Sequence, residues 1–161
     1  MQSIQTVSEN TIYVGASDRR LAKFENLFPI PRGVSYNAYV ILDEKTALLD
    51  TADASVGAQF LVNVAAALDG RKLDYLIVDH MEPDHTAMIE AVLVRWPDLR
   101  LVVNAKTLPM LKMYFPTDSA AIDDALVVKE GDTLDLGKHK LTFVMAPMVH
   151  WPEVMMTFDT T

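Results

Sequence analysis

The alternation of apolar and polar residues predicts short strands in the first third of the chain. Strand patterns at 4–7 and 11–14 flank a turn and predict a hairpin. Residues 24–33 contain two prolines and a glycine, which indicates a loop. Aromatic and β-branched residues then alternate through 35–42, and the apolar run at 46–49 predicts a further strand.

The middle of the chain alternates between apolar runs of strand length and apolar residues at helical spacing. Glycine follows the first helical pattern and proline ends each of the next two, as expected where a helix cannot continue. The predicted order is a helix at 56–68, a strand at 73–78, a helix at 86–96, a strand at 101–103 and a helix at 108–114.

The last third returns to short strand patterns separated by glycine or proline turns. They lie at 125–128, 133–136, 140–145 and 154–158, and they predict a meander. This order of elements indicates an α/β sandwich: a mixed sheet or two packed sheets, with helices outside. The chain has 161 residues and no internal repeat or dividing linker, which predicts a single domain.

The charge balance and the absence of cysteine exclude several classes of function. A formal net charge of -8 argues against nucleic acid or an anionic membrane surface as a partner, since both attract Lys and Arg. Without cysteine, any metal must be held by nitrogen and oxygen atoms. The chain begins without a basic, apolar leader, and no run approaches membrane-spanning length, so we expect a cytoplasmic protein.

Residues 80–85, which read His-Met-Glu-Pro-Asp-His, carry the strongest chemical signal in the sequence. They follow the predicted strand at 73–78 and contain Pro83, so they form a strand-to-helix loop. Such loops lie at the carboxyl edge of a sheet, where open α/β folds bind ligands. Two imidazoles and two carboxylates packed so closely predict a bound cation, because burial would otherwise leave their charges unpaired.

A second loop carries His150, which follows the predicted strand at 140–145 and lies between two prolines. His150 could complete a first metal site with His80 and Glu82, and alternate residues of a tight loop diverge, so Asp84 and His85 would point to a second metal. A carboxylate at position 82 adds hard oxygen and negative charge, which suits iron or manganese.

These residues resemble the flavodiiron proteins. The pattern His-x-Glu-x-Asp-His at 80–85, followed by His-Trp-Pro at 150–152, is similar to the iron-binding part of that family, whose metal domain has the metallo-β-lactamase fold, an αββα sandwich. Residues 31–39 and 49–51 are also similar to the family's amino-terminal region, so the resemblance covers nearly the whole chain. Zinc hydrolases of the same fold have His at the position of Glu82.

The resemblance implies a diiron oxidoreductase that reduces dioxygen to water, nitric oxide to nitrous oxide, or both. It implies electrons from FMN in a carboxyl-terminal flavodoxin-like domain, a head-to-tail homodimer, and a redox donor such as rubredoxin or a similar reductase. Trp151 would line the pocket where the flavin approaches. By the resemblance, one iron would be held by His80, Glu82 and His150, and the other by Asp84 and His85.

One departure from the family concerns the end of the chain. The family's bridging aspartate and last histidine lie downstream of the strand that follows the His-Trp-Pro motif, whereas this sequence ends at Thr161. Asp159 lies in or at the end of that strand and does not match the bridging position. We therefore expect residues 1–161 to be the amino-terminal part of the diiron domain, without the flavodoxin-like FMN domain and inactive alone.

Two other functions stay open. The first is a zinc hydrolase of the same fold, in which a metal-bound water attacks an ester or amide. The second is a non-catalytic half-domain with an exposed apolar face where the rest of the sandwich would pack.

Single residues also have simpler interpretations than metal binding. Asp84 could cap the helix that starts near Thr86. Asp50 could be an ordinary polar residue at a strand end or could support the metal loop. His139, between two lysines in a turn, is expected to be solvated and without a functional role.

Overall fold

Two β-sheets and a layer of helices account for most of the chain. The computed structural model describes residues 3–116 and 119–161. Numbered along the chain, the strands are β1 (Gln5–Ser8), β2 (Thr11–Tyr13), β3 (Ala16–Asp18), β4 (Lys23–Phe24), β5 (Phe28–Pro29), β6 (Val34–Tyr36), β7 (Tyr39–Leu42), β8 (Thr46–Leu49), β9 (Tyr75–Ile77), β10 (Arg100–Asn104), β11 (Leu126–Val128), β12 (Thr133–Asp135), β13 (Lys140–Met145) and β14 (Met155–Asp159). The helices are α1 (Gly57–Leu68), α2 (Pro83–Thr86), α3 (Ile89–Arg95), α4 (Thr107–Tyr114) and α5 (Ser119–Asp123).

The larger sheet has seven strands in the order β1-β2-β7-β8-β9-β10-β11. Its first four strands pair antiparallel, and β8, β9, β10 and β11 pair parallel to one another. Parallel neighbours require crossover connections, which the helices supply. The carboxyl ends of four strands therefore meet at one edge of the sheet, and the loops that leave this edge can bring distant residues together.

The smaller sheet is the antiparallel meander β12-β13-β14. It packs on one face of the larger sheet, and the helices pack on the other. Neighbouring residues on a strand point to opposite faces, so Leu76 joins the core beneath the helices while Ile77 joins the core between the sheets. Leu141 and Phe143 of the smaller sheet complete that second core.

Most predicted elements are present, and four segments differ from the prediction. The strand predicted at 35–42 is two strands, β6 and β7, which belong to different sheets. The loop predicted at 24–33 contains the short hairpin β4–β5. The strand predicted at 125–128 does not join the meander: as β11 it pairs parallel with β10 at the edge of the larger sheet.

The helix predicted at 86–96 is also different, because it begins earlier and is interrupted. It starts at Pro83, since proline is well accommodated at the first helical position, where the missing amide has no partner to lose. The helix is interrupted between α2 and α3, where Thr51 forms hydrogen bonds with the backbone. The Thr51 amide donates to His85 O (2.8 Å), and the Met88 amide donates to Thr51 Oγ1 (3.3 Å).

His139 is buried, which contradicts the expectation that it is solvated. Only 6% of its surface is exposed, and Nδ1 lies 2.7 Å from Asp159 Oδ2. Its amide donates to Asp43 Oδ2 (2.6 Å), which lies in the turn between β7 and β8. His139 therefore links the two sheets at the end of β14. Among the described residues, no helix is long and apolar enough to cross a membrane.

Candidate metal centre

Residues 80–82 of the motif lie in the loop between β9 and α2, as the sequence predicts, whereas residues 83–85 form the first turn of α2. Glu82 is the residue that precedes α2, and its backbone is extended there. Met81 is fully buried in the core beneath the helices, so the loop is anchored between two functional residues. His80 and Glu82 are themselves buried, with 7% and 6% of their surfaces exposed.

His80, Glu82 and His150 converge on one point. Glu82 Oε2 lies 3.1 Å from His80 Nε2 and 3.0 Å from His150 Nε2. One ligand atom from each residue lies within 4.8 Å of the other two. The loop between β13 and β14 brings His150 to this point from the smaller sheet. The three side chains therefore lie close enough to one another to bind a single cation.

The surroundings of Glu82 favour its ionised, negatively charged form. Burial alone would raise the pKa of Glu82, but contacts with Glu25, His80 and His150 outweigh burial and lower it. An ionised oxygen between two imidazole nitrogens is suited to a divalent cation, which would replace the direct contacts with metal-ligand bonds.

Asp84 and His85 form a second, looser pair beside the first group. His85 Nε2 lies 3.9 Å from Asp84 Oδ2, and the rings of His80 and His85 have centroids 5.0 Å apart. The alternative in which Asp84 caps the helix does not hold, because Asp84 lies inside the first turn of α2 and Glu82 is the residue before the helix. Its Oδ1 atom is buried and has no hydrogen-bond partner among the described residues.

Asp50 supports His85, which settles the open interpretation of this residue in favour of support for the motif. Asp50 Oδ2 lies 2.8 Å from His85 Nδ1, and Asp50 Oδ1 accepts the Asp79 amide (2.8 Å). Burial lowers the pKa of His85, but the hydrogen bond and charge of Asp50, with smaller effects of Asp84 and Glu82, raise it to about 9. The contact with Asp50 therefore favours the protonated form of the His85 ring.

Burial and the negative charge of Asp50 raise the pKa of the neighbouring Asp79 to about 8. The hydroxyl of Thr157 donates to Asp79 Oδ1 (2.8 Å), so this carboxyl group also links β14 to the motif loop. Asp50 and Asp79 would repel each other if both were ionised, which is one reason why the pKa of Asp79 is raised.

A short hairpin borders the metal centre. In the tight turn between β4 and β5, Glu25 and Asn26 both have positive φ (50° and 59°), the pattern of a type I′ turn, in which Asn is common. Glu25 and Glu82 border a cavity of about 430 Å³. The hydrogen bond between the two carboxyl groups, together with burial and nearby negative charge, raises the pKa of Glu25. No sequence pattern singled out Glu25, because it lies in a segment predicted only as a loop.

Trp151 and Glu153 both contact His80. The Trp151 ring packs edge to face against His80, with centroids 5.3 Å apart and an interplanar angle of 87°. Glu153 Oε1 lies 2.7 Å from His80 Nδ1. The sequence interpretation gave Glu153 no role, although its position three residues after His150 in the same loop was a usable signal.

The residues present fit a nitrogen- and oxygen-ligated metal. Two buried carboxylate oxygens, Asp84 Oδ1 and Glu153 Oε2, have no hydrogen-bond partner among the described residues. Each buried unpaired polar atom costs about 1–3 kcal/mol. A cation held by His80, Glu82 and His150 would offset part of that cost at Glu153, because the positive charge acts on the Glu153 carboxylate through the His80 ring.

A family model described as "ODP family beta lactamase" matches residues 34–161. The chain is 36% identical over 154 residues to a "Nitric oxide reductase" of Moorella thermoacetica, covering 94% of this chain and 38% of that relative. It is 35% identical over 156 residues to an "Anaerobic nitric oxide reductase flavorubredoxin" of Klebsiella pneumoniae, covering 96% of this chain and 32% of that relative. The chain therefore spans well under half the length of these relatives.

Solved structures give the same result for the fold. The rubredoxin oxygen:oxidoreductase of Desulfovibrio gigas has a TM-score of 0.90 at 30% identity, over 98% of this chain and 38% of that chain. The flavodiiron protein of Giardia intestinalis has a TM-score of 0.90 at 26% identity, over 99% of this chain and 38% of that chain. The predicted metallo-β-lactamase-like fold is confirmed. The chain belongs to the ODP family of beta-lactamase-like domains, the family of the flavodiiron proteins.

Proposed function

We propose that this chain is the metal-binding part of a diiron oxidoreductase that reduces nitric oxide to nitrous oxide, dioxygen to water, or both. The convergence of His80, Glu82 and His150 through Glu82 Oε2 carries the proposal. The names of the relatives support it: one is a nitric oxide reductase, and another is a rubredoxin oxygen:oxidoreductase.

In this proposal, His80, Glu82 and His150 hold one iron, and Asp84 and His85 contribute to the second. When bound, the two irons supply electrons and binding positions for the small gas. The chain itself orients the ligands: Asp50 holds the His85 ring through Nδ1, and the ring of Trp151 covers one edge of His80. Buried Met81 keeps the loop rigid between its ligands.

We further propose that residues 1–161 form the diiron domain only in part, and that the bridging aspartate and last histidine lie beyond Thr161. The chain spans 38% of the Moorella relative, which is consistent with this. FMN in a flavodoxin-like domain, contact between the flavin and Trp151, a homodimer, rubredoxin or a similar reductase as donor, and a cytoplasmic location stay predictions from the family resemblance.

Anaerobic loading with Fe²⁺, followed by metal analysis, tests the proposal. We expect bound iron in the parent protein, a loss of at least about 100-fold in affinity in Glu82→Ala, and normal binding in Glu90→Ala, which removes an exposed carboxylate on α3. A ligand should cost more than the ~10–100-fold typical of a residue that only supports one.

The two open alternatives give different results in the same experiment. Preference for zinc together with esterase activity would favour the hydrolase. Absence of stoichiometric metal, together with self-association, would favour the non-catalytic half-domain. For the nitric oxide and oxygen reductase activities, the protein extended by its own downstream reading frame is the form to assay, since we expect residues 1–161 to be inactive alone.

A further inference from the structure

Both histidines of the 80–85 motif have a carboxylate on Nδ1. Glu153 Oε1 lies 2.7 Å from His80 Nδ1, and Asp50 Oδ2 lies 2.8 Å from His85 Nδ1. A carboxylate on Nδ1 accepts the proton of that nitrogen, so the His80 ring can bind a cation through Nε2 once the cation replaces the contact with Glu82. His80 Nε2 is the atom that faces Glu82 at 3.1 Å.

Glu153 is held rigidly in the position it needs. It is 1% exposed, and its Oε1 atom also accepts the amide of Met81 (3.0 Å). The side-chain amide of Asn104, at the end of β10, donates to the Glu153 carbonyl (2.5 Å). Asn104 Oδ1 in turn accepts the amides of Lys106 and Thr107 (2.8 and 3.0 Å), which fixes the orientation of Asn104 at the start of α4.

We propose that Glu153 is a positioning residue of the metal centre, which holds the His80 ring so that Nε2 is presented to the cation. The proposal rests on the proposed function, because it assigns His80 as a ligand. The loop between β13 and β14 then acts twice: His150 supplies a ligand, and Glu153, three residues later, orients the ligand supplied by the other loop.

The unpaired oxygen of Glu153 supports a role tied to charge. Oε2 is buried without a hydrogen-bond partner among the described residues, so packing alone does not account for a carboxylate here. A carboxylate behind a metal-bound imidazole makes the ring a stronger donor, because it stabilises the positive charge that the ring acquires on binding. Mutation of such residues typically lowers metal affinity by about 10–100-fold.

The chain provides a matched control in Asp159. Its Oδ2 atom also lies 2.7 Å from the Nδ1 atom of a buried histidine, His139, but this pair is outside the metal centre. Asp159→Asn therefore removes the charge from a contact of the same kind, as Glu153→Gln does at His80. Glu153→Gln keeps the shape and the acceptor oxygen while it removes the charge, and Glu153→Ala removes both.

The first test follows the proton on His80 in the metal-free protein by ¹H–¹⁵N correlation of histidine side chains. We expect the His80 Nδ1 proton in the parent, in Glu153→Gln and in Asp159→Asn, and its transfer to Nε2 in Glu153→Ala. Retention of the Nδ1 proton in a folded Glu153→Ala protein would overturn the proposal. Because no metal is used, this result does not depend on the proposed function.

The second test is a Co²⁺ titration followed by visible absorbance. We expect an affinity loss of about 10-fold in Glu153→Gln and up to about 100-fold in Glu153→Ala, with Asp159→Asn equal to the parent. Equal affinity in all four proteins would overturn the positioning role while leaving the metal site intact. Failure of the parent to bind Co²⁺, with the His80 proton placed as expected, would instead count against the proposed function.

Discussion

Glu82 is the residue at which the two loops of the metal centre meet. One of its oxygens lies 3.1 Å from a nitrogen of His80, in the same loop, and 3.0 Å from a nitrogen of His150, which is 68 residues away in sequence. The sequence predicted this group of three because the residue types and the strand-end positions agreed. It did not predict the Nδ1 contacts of Glu153 and Asp50, which depend on side-chain directions that a strand pattern does not specify.

Met81 is the side chain that anchors the metal loop in the core, and its substitution tests how much it contributes to stability. Met81→Ala should lower the free energy of unfolding by about 2–5 kcal/mol, because it removes a fully buried side chain from a packed core. Met113→Ala, at a methionine of α4 that is 78% exposed, should change it by no more than about 0.5 kcal/mol. Urea unfolding measures both. Equal effects of the two substitutions would contradict the anchoring role of Met81.

At the scale of elements, the positions of strands and helices with clear patterns were predicted well. Which strands pair with one another, and where a helix is interrupted, were not. The strand at 46–49 and the helix that ends before Gly70 agree with the structure nearly residue for residue. β11 was assigned to the wrong sheet because a short apolar strand reads the same whether its neighbour is parallel or antiparallel. The break between α2 and α3 depends on Thr51, which is distant in sequence.

The contact between His139 and Asp159 of β14 predicts how the free energy of unfolding depends on pH. Burial alone would raise the pKa of Asp159, but hydrogen bonds from His139 and from Thr161 hold it below its ordinary value of 3.8. The unfolded chain therefore takes up this proton first as pH falls, so the stabilisation is present above about pH 4 and is lost below it. Asp159→Asn should remove that part of the acid dependence.

Free energies of unfolding between about pH 2 and 6 measure this effect. The control is Asp135→Asn, which removes an exposed carboxylate 3.5 Å from Lys140 and should leave the acid dependence nearly unchanged, since exposed pairs contribute little. An Asp159→Asn protein with the same acid dependence as the parent would contradict the assigned contact.

At the scale of the whole molecule, the described residues form three layers: helices, the larger sheet and the smaller sheet. The outer face of the smaller sheet exposes Val144, Met156 and Phe158, with 40%, 50% and 62% of their surfaces accessible. The αββα architecture expected from the family resemblance has a helical layer on that face. The layer order was predictable from the order of elements, whereas the size of the exposed face required the coordinates.

The exposed face predicts self-association of residues 1–161. The double substitution Met156→Ser with Phe158→Ser should shift sedimentation-velocity profiles toward monomer, because it removes large exposed apolar groups from β14, an edge strand of the smaller sheet. Val94→Ser, at an apolar residue on α3 that is 76% exposed, should have no such effect. A monomeric parent protein would contradict the prediction that this exposed face causes self-association.

The most direct measurement is anomalous diffraction at the iron edge from crystals loaded with Fe²⁺ under anaerobic conditions. We expect a peak between His80 Nε2, Glu82 Oε2 and His150 Nε2, with the two nitrogens moved apart from their present contacts with Glu82 to make room for the ion. A peak elsewhere, or none at these three atoms in crystals that contain iron, would contradict the account.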